Sequence, residues 1–226
     1  MKKRYFYGLL PALLLFCLSL QAQDRPTDRY GLPIPRFGVQ FSAVHWFDPS
    51  VPGPHLSFLH RLAHERTYMR YELGYLLDLN YQQPLDIQGL WGVRGRVTRR
   101  RYRQTLSTQG SVRFWEVSFS YRYLDMDIAG DFWRDQFQYQ QRLVYKLRQH
   151  NLSLSYIIGN SFWLAPRLRL DVGAGIGFRV KLPRHGAVPE DAVFDTNGYL
   201  LWQYQSSNDP VSGFSAPLLL HLGYFW

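Results

Sequence analysis

An apolar side chain at every second position, repeated over many short segments, is the feature that most constrains the fold of this chain. The segment 167–180 is the most regular example, because seven apolar side chains, from Leu168 to Val180, alternate there with arginine, aspartate and glycine. Since successive side chains of a β-strand point to opposite faces, a period of two indicates strands with one apolar face. No segment after residue 22 approaches the roughly 18 consecutive apolar residues that a spanning helix needs. The pattern therefore excludes a membrane protein built from helices.

The alternation predicts eight strands, at 36–43, 55–63, 69–77, 91–102, 115–123, 139–159, 167–180 and 218–226. The apolar positions change parity within the sixth strand, which predicts a bulge or break near 149–151. Short connections near 64–67, 103–111 and 160–166 alternate with longer ones near 48–54, 78–90, 125–138 and 181–212. This arrangement is typical of an all-β, up-and-down antiparallel transmembrane barrel, whose strands need about 9–11 residues to cross the bilayer. Ten strands stay open as an alternative, because residues 192–204 could form another hairpin arm.

The polar faces of the strands favour a membrane barrel over a soluble β-sandwich, although both folds alternate. A sandwich would expose lysine, threonine and glutamate to solvent, whereas lysine is nearly absent from these strands. The polar faces instead combine arginine with acidic residues, or carry glycine and serine, as expected in a narrow lumen where guanidinium groups pair with carboxylates. We therefore predict a lumen charge network of Arg70, Glu72, Arg94, Arg96, Glu116, Arg122, Arg169 and Asp171. Aromatic residues near strand ends fit an interfacial girdle, at Trp46, Tyr75, Tyr123, Tyr224 and Trp226.

Residues 1–22 have the composition of a secretory signal peptide, since a basic start precedes an apolar stretch and a small residue, Ala22. We expect signal-directed export, a polar lead-in over 23–35 and a barrel domain over 36–226. The single cysteine, Cys17, lies in the leader, so no intramolecular disulfide is expected in the exported chain.

The leader, the eight alternating strands and the C-terminal segment 220–226 together resemble the small OmpA/OmpX-like outer-membrane β-barrels of Gram-negative bacteria. A final aromatic residue with apolar residues at every second position before it is similar to the signal read by the outer-membrane assembly machinery. The resemblance assigns that role to Leu222, Tyr224 and Trp226, although Trp226 stands where phenylalanine is commoner and Pro217 lies near the start of the strand. It also implies location in the cell outer membrane, with outer-membrane lipid and lipopolysaccharide as partners.

Some barrels that this chain resembles modify lipids, using a histidine and a serine two residues apart on one strand face. The nearest arrangements here are His150 with Ser153 or Ser155, and His221 with Ser215. His150 and Ser153 have opposite parity, so a regular strand would place them on different faces. We expect no catalytic residue, and a lipid-modifying hydrolase is retained only as a remote alternative.

Metal and phosphate sites are not expected either. His60 and His64 share a strand face but lie about 13 Å apart at about 3.3 Å per residue, too far for one metal ion. We interpret them, with His55, as interfacial and turn histidines. The glycine-rich segment 173–177 lies inside a strand and lacks a following Lys-Ser/Thr, so we interpret it as room for neighbouring lumen side chains. No cofactor is expected.

The densest charge in the chain is an arginine run, at Arg94, Arg96, Arg99, Arg100, Arg101 and Arg103. Nucleic acid is not an expected partner of an exported barrel. One interpretation is that Arg94 and Arg96 pair with lumen acids while the others are solvated at a turn. The alternative is that the arginines near the turn contact lipid phosphates or other anionic envelope components.

These observations predict a non-enzymatic barrel with a packed, salt-bridged lumen, because eight strands leave an interior that side chains just fill. We expect it to act in envelope structure, or in interactions through its extracellular loops, whose partner the sequence does not identify. The alternative function is a narrow channel for small or anionic solutes, suggested by the excess of arginine over lumen acids.

Overall fold

The structure, a computed structural model, describes residues 35–42, 53–62, 66–77, 86–104, 110–165, 167–186, 189, 193–194 and 209–226. The predicted signal peptide, the lead-in before Pro35, Trp46 and His64 lie outside these ranges. Within them the chain forms ten strands: β1 (Phe37–Ser42), β2 (His55–Arg61), β3 (Thr67–Leu77), β4 (Asp86–Tyr102), β5 (Ser111–Arg134), β6 (Tyr139–Ala165), β7 (Leu168–His185), β8 (Val193–Phe194), β9 (Val211–Ser215) and β10 (Leu218–Phe225). In the described part of the chain, no helix has the length and apolar character needed to span a membrane.

Eight of the strands form a closed antiparallel barrel. Neighbours along the chain pair from β1 to β7, and β10 pairs with both β7 and β1, which joins the two edges of the sheet. At the seam Val39 lies opposite Tyr224, and the backbone N–H of Trp226 donates to the carbonyl of Phe37 at 3.0 Å. The short strands β8 and β9 pair with β5 and β7. The prediction of an all-β, up-and-down antiparallel barrel is confirmed, with eight strands in the closed sheet and two additional ones.

The strand β9 lies in the segment predicted as a long connection. It pairs with β7 beside β10, and the two are separated only by residues 216–217. The carbonyl of Pro217 still accepts from the N–H of Gly175 at 3.0 Å. Because proline has no N–H to donate to the sheet, Pro217 interrupts what is otherwise one run of pairing along β7.

The prediction of a long connection at 125–138 is wrong. The strands β5 and β6 stay paired as far as Arg134 and Tyr139, and residues 135–138 alone make the turn. The positive φ angles of the turn, from 53° to 72°, fall on Asp135, Gln136 and Phe137. Asp125, Asp127 and Asp131 lie on one face of β5, and the other face carries the buried side chains Leu124, Met126 and Phe132. The strands β5 and β6 are 24 and 27 residues long, whereas a tilted strand needs about 9–11 residues to cross a bilayer. We call residues 124–149 the hairpin extension.

The predicted bulge near 149–151 is also wrong, since β6 pairs with β5 and β7 there without a shift in register. Register shifts occur instead between Gln88 and Trp91 on β4 and between Trp163 and Ala165 on β6. Gly89 within the first has φ of 62°, a conformation that favours glycine. The strands β4 and β6 therefore extend into the segments 78–90 and 160–166, which were predicted as connections.

The apolar residues of β6 change from odd to even positions because the surroundings of the strand change along its length, while its register stays regular. Leu154 and Ile158 point outward and are 56% and 60% exposed, whereas Tyr145 and Leu147 in the hairpin extension are buried. The register fixes alternate residues to opposite faces, so the apolar face of β6 is the outer one near its C-terminal end and the inner one in the extension. At the short-connection end the interior is filled by an apolar cluster of Leu59, Tyr68, Tyr102, Val112, Phe114, Ile157, Leu219 and Phe225.

Candidate functional site in the barrel lumen

The middle of the barrel holds a chain of buried ion pairs that crosses the lumen. The carboxylate of Glu116 on β5 accepts from Arg70 Nη2 on β3 at 2.9 Å and from Arg100 Nε on β4 at 2.8 Å. Arg100 Nη1 also pairs with Asp171 on β7, which accepts a further hydrogen bond from Gln40 on β1. The charged side chains of these pairs are fully buried. Five strands of the barrel are thus tied together through one continuous network.

A second carboxylate, Glu72 on β3, is surrounded by weaker donors. His55 Nδ1 lies 3.1 Å from Glu72 Oε1, and Arg96 Nη1 lies 3.6 Å from Oε2. Arg70 Nη1 lies 3.1 Å from His221 Nδ1. Because a guanidinium can only donate, His221 Nδ1 must accept, which places the ring proton on Nε2, 4.0 Å from Glu72. Arg70 and His221 therefore join the Glu72 group to the Glu116 group.

The ion pairs with Glu116 and Asp171 join residues on different strands. Arg70 pairs with Glu116 on β5, and Asp171 pairs with Arg100 on β4. Residues two apart on a strand share a face, but in a narrow barrel the facing strands bring partners of better geometry across the lumen. Arg96 does reach an acid, Glu72, as predicted.

The remaining predicted arginines have other neighbours. Arg122 donates to the amide oxygen of Asn151 at 3.0 Å in the orientation that satisfies both groups, and Arg94 stands opposite Arg122 in the register of β4 and β5. The Arg169 guanidinium lies 4.7 Å from the ring centre of Trp163. The eight predicted residues thus lie on lumen positions, while the ion-paired centre contains only some of them.

Four members of the network were not predicted from the sequence: Gln40, His55, Arg100 and His221. Arg100 was interpreted as solvated at a turn, and His55 as an interfacial or turn histidine, but both are fully buried. The parity of Arg100 matches that of Arg94 and Arg96, so the alternation carried a signal for its inward position. Nothing in the sequence pairs it with Asp171, which lies 71 residues away.

The serine and histidine neighbours do not form a nucleophile–base pair. The ring of His150 lies on the outer face, where its Nδ1 is 2.7 Å from the hydroxyl of Tyr121. Ser153 points into the lumen and contacts the Ser120 hydroxyl at 2.6 Å, and Ser155 contacts Ser118 at 2.7 Å. His221 is held in the lumen by Arg70. The opposite faces of His150 and Ser153 are those that their spacing predicted.

No protein-family model matches the chain, and no curated protein matches it. A crystal structure of a major outer membrane protein from Thermus thermophilus is similar, with 13% sequence identity, coverage of 85% of this chain and 99% of that chain, and a TM-score of 0.42. A similarity this low carries no functional argument.

Proposed function

We propose that this chain is an outer-membrane β-barrel without enzymatic activity, whose lumen is closed by the buried charge network and whose outward hairpin mediates contacts at the envelope surface. The observation that carries the proposal is the reversal of apolar faces along β6. With unbroken register, apolar residues face outward from Leu152 to Ile158 and inward at Tyr145 and Leu147. A strand that leaves a bilayer and enters water needs this reversal, since lipid surrounds the first part and solvent the second.

The outward face of the barrel wall supports the same conclusion. Large apolar side chains are exposed on several strands, among them Leu56 at 52%, Leu73 at 75%, Phe119 at 53% and Ile176 at 73%. Such a continuous apolar surface is far from typical of a soluble monomer. A soluble sandwich would bury one apolar face against another sheet, whereas this barrel encloses arginine, glutamate and serine at the same level.

The border of this apolar belt is marked by aromatic and then charged residues. The rings of Trp91 and Tyr123 are in edge contact at 5.5 Å, and Tyr123 lies against His150 at 5.1 Å. Next to them Asp125 pairs with Lys146 at 3.2 Å and with Arg148 at 3.3 Å. Aromatic rings at the interface followed by ion pairs in water are the order expected at the edge of a bilayer.

The closed lumen favours a structural or interaction role over transport. Arg70, Arg100, Glu116 and Asp171 are fully buried across the middle of the barrel, and an apolar cluster fills the interior at the short-connection end. The hairpin extension, in contrast, presents Phe137 and Tyr139 at 62% and 48% exposure. Exposed aromatic residues on a long, fully paired hairpin are suited to bind a partner outside the membrane.

The proposal includes export by the 1–22 signal and relationship to the small OmpA/OmpX-like barrels of Gram-negative bacteria. It also assigns Leu222, Tyr224 and Trp226 to recognition by the assembly machinery, with lipid and lipopolysaccharide around the barrel. Support comes from the outward positions of Leu222 and Tyr224, which are 43% and 46% exposed on β10.

The first test is the location and conductance of the barrel. We expect it in outer-membrane fractions, with a gel mobility that changes on boiling, and we expect no steady openings in a planar bilayer. A soluble periplasmic band without a mobility shift would contradict the membrane barrel. Steady openings would instead support the channel for small or anionic solutes. A change in the chemical structure of lipid A that requires this gene and His150 would support the hydrolase alternative.

A further inference from the structure

A groove of about 940 Å³ lies on the barrel wall near the connection between β4 and β5. Part of its lining is a single row of directly opposed residues: Trp115 on β5, Ile158 on β6, Ala174 on β7 and Leu218 on β10. Ile158 and Leu218 are 60% and 62% exposed. Ala174, the smallest side chain of the row, leaves a depression between its two larger neighbours. The row is therefore an apolar track that crosses four strands.

Four exposed arginines line one end of the same groove: Arg66, Arg101, Arg103 and Arg113. Arg66 Nη1 donates to the backbone carbonyl of Arg103 at 3.4 Å. Arg101 lies directly opposite Trp115, and the backbone N–H of Arg103 donates to the carbonyl of Arg113 at 2.8 Å. Opposed residues on antiparallel strands have Cβ atoms about 4.5–5.5 Å apart, so the side chains of Arg101, Arg103 and Arg113 originate close together. Within the described residues, no ion pair involves Arg101, Arg103 or Arg113.

The two ends of the groove lie at different depths in the wall. Arg103 and Arg113 flank the short connection between β4 and β5. Leu218 is the first residue of β10, and the opposite end of that strand, at Phe225, bonds to Arg167 beside the short connection between β6 and β7. The apolar track thus runs from the basic end at the barrel rim toward the middle of the wall.

This arrangement suits a molecule with a phosphate at one end and hydrocarbon at the other. Like charges on adjacent strands repel one another, and an anion between them offsets that repulsion. Guanidinium groups bind phosphate oxygens through paired, charge-assisted hydrogen bonds. We propose that the groove binds a glycerophospholipid with an anionic headgroup, its phosphate at Arg101, Arg103 and Arg113 and one acyl chain along the apolar track. The inference rests on the proposed function, since this lipid must come from the membrane leaflet beside the short connections.

The test compares lipids on the full-length folded barrel by native mass spectrometry. We expect phosphatidylglycerol to be retained in preference to phosphatidylcholine of the same chains. The double substitution Arg103→Gln and Arg113→Gln should lower that preference by about tenfold or more. The matched control, Arg142→Gln with Arg184→Gln, removes the same charge from exposed positions at the other end of the barrel and should leave the preference unchanged.

A second substitution tests the acyl-chain part of the site. Ala174→Phe fills the depression from the outer face, so it should weaken retention of both lipids while the barrel still shows its heat-dependent mobility shift. Equal retention of the two lipids by the native barrel, or an equal loss in the control variant, would overturn the inference. Competition by inorganic phosphate at lipid concentrations would also overturn it, because the site would then bind a simple anion.

Failure of this inference is distinguishable from failure of the proposed function. A heat-modifiable barrel that inserts into vesicles but does not discriminate between the lipids would overturn the lipid site alone. A chain that stays soluble without detergent and shows no mobility shift would overturn the membrane barrel itself.

Discussion

At the scale of single residues, Glu116 connects the two halves of the buried network, because its two carboxylate oxygens accept hydrogen bonds from Arg70 and Arg100 on different strands. All three side chains are fully buried. A buried ion pair contributes little net free energy compared with well-packed apolar residues, but removal of one partner leaves an uncompensated charge. In this lumen the loss of Glu116 would leave two such charges without their shared partner.

Glu116→Gln is therefore expected to lower the free energy of unfolding by about 3–5 kcal/mol. The measurement is the urea midpoint of the barrel refolded in detergent, followed by its gel mobility without boiling. Asp131→Asn is the matched control, since it removes a carboxylate from an exposed position on β5 and should change stability by no more than about 0.5 kcal/mol. Similar midpoints for the two variants would contradict a stabilising role for the network.

The hairpin extension is the element whose interior differs most from the rest of the barrel. Its inner face is apolar, and the rings of Phe132 and Tyr145 meet edge to face at 5.5 Å. Tyr145 is 4% exposed, and burial raises the pKa of its hydroxyl to about 12. The extension lies beyond the apolar belt, so water-driven burial of apolar side chains holds it together.

The raised pKa of Tyr145 predicts that the hairpin extension loses stability at alkaline pH. Since the pKa in the folded state lies above the unfolded value of about 10, the stabilisation is complete below pH 10 and is lost as the pH rises toward 12. Tyr145→Phe should remove this dependence, which amounts to about 2–3 kcal/mol at most. Unfolding of the native barrel and the variant is measured from pH 9 to 12 by loss of tryptophan fluorescence, with the exposed Tyr139→Phe as control. Parallel pH curves for all three proteins would refute the prediction.

At the scale of the whole molecule, closure of the barrel depends on the last strand. The carbonyl of Trp226 accepts from the N–H groups of Arg36 and Phe37 at 2.9 and 3.0 Å, and its side chain is 7% exposed. Tyr224, two residues earlier, points outward and is 46% exposed. The two aromatic residues of the proposed assembly signal are thus in different surroundings.

Because the two residues have different surroundings, substitutions at Tyr224 and Trp226 distinguish assembly in the outer membrane from folding of the barrel. Tyr224→Ala should reduce the amount of barrel assembled in the outer membrane, yet leave the refolded protein in detergent nearly as stable as the native one. Trp226→Ala should reduce both, by about 3–5 kcal/mol in the refolded protein, because it removes a buried aromatic residue at the seam. The two readouts are heat-modifiable protein in outer-membrane fractions and the urea midpoint after refolding. Unchanged assembly of the Tyr224 variant would contradict its role as a signal.

The alternation in the sequence determined the strands, because the period of two is a local property of extended backbone. It predicted the closed eight-stranded plan and the lumen positions of Arg70, Glu116 and Asp171. The alternation gave a wrong prediction on β6, where the apolar side chains move from one face of the strand to the other. This change suggested a bulge, although the strand is regular there.

Only the tertiary structure decided which charges meet. Arg100 reaches Asp171 and Glu116 because closure of the sheet brings β4, β5 and β7 around one narrow lumen, and no spacing along the chain encodes that distance. The same closure placed Trp115, Ile158, Ala174 and Leu218 in one row. Local periodicity sets the face on which a side chain lies, whereas contacts between distant strands depend on register and barrel closure, which are properties of the whole fold.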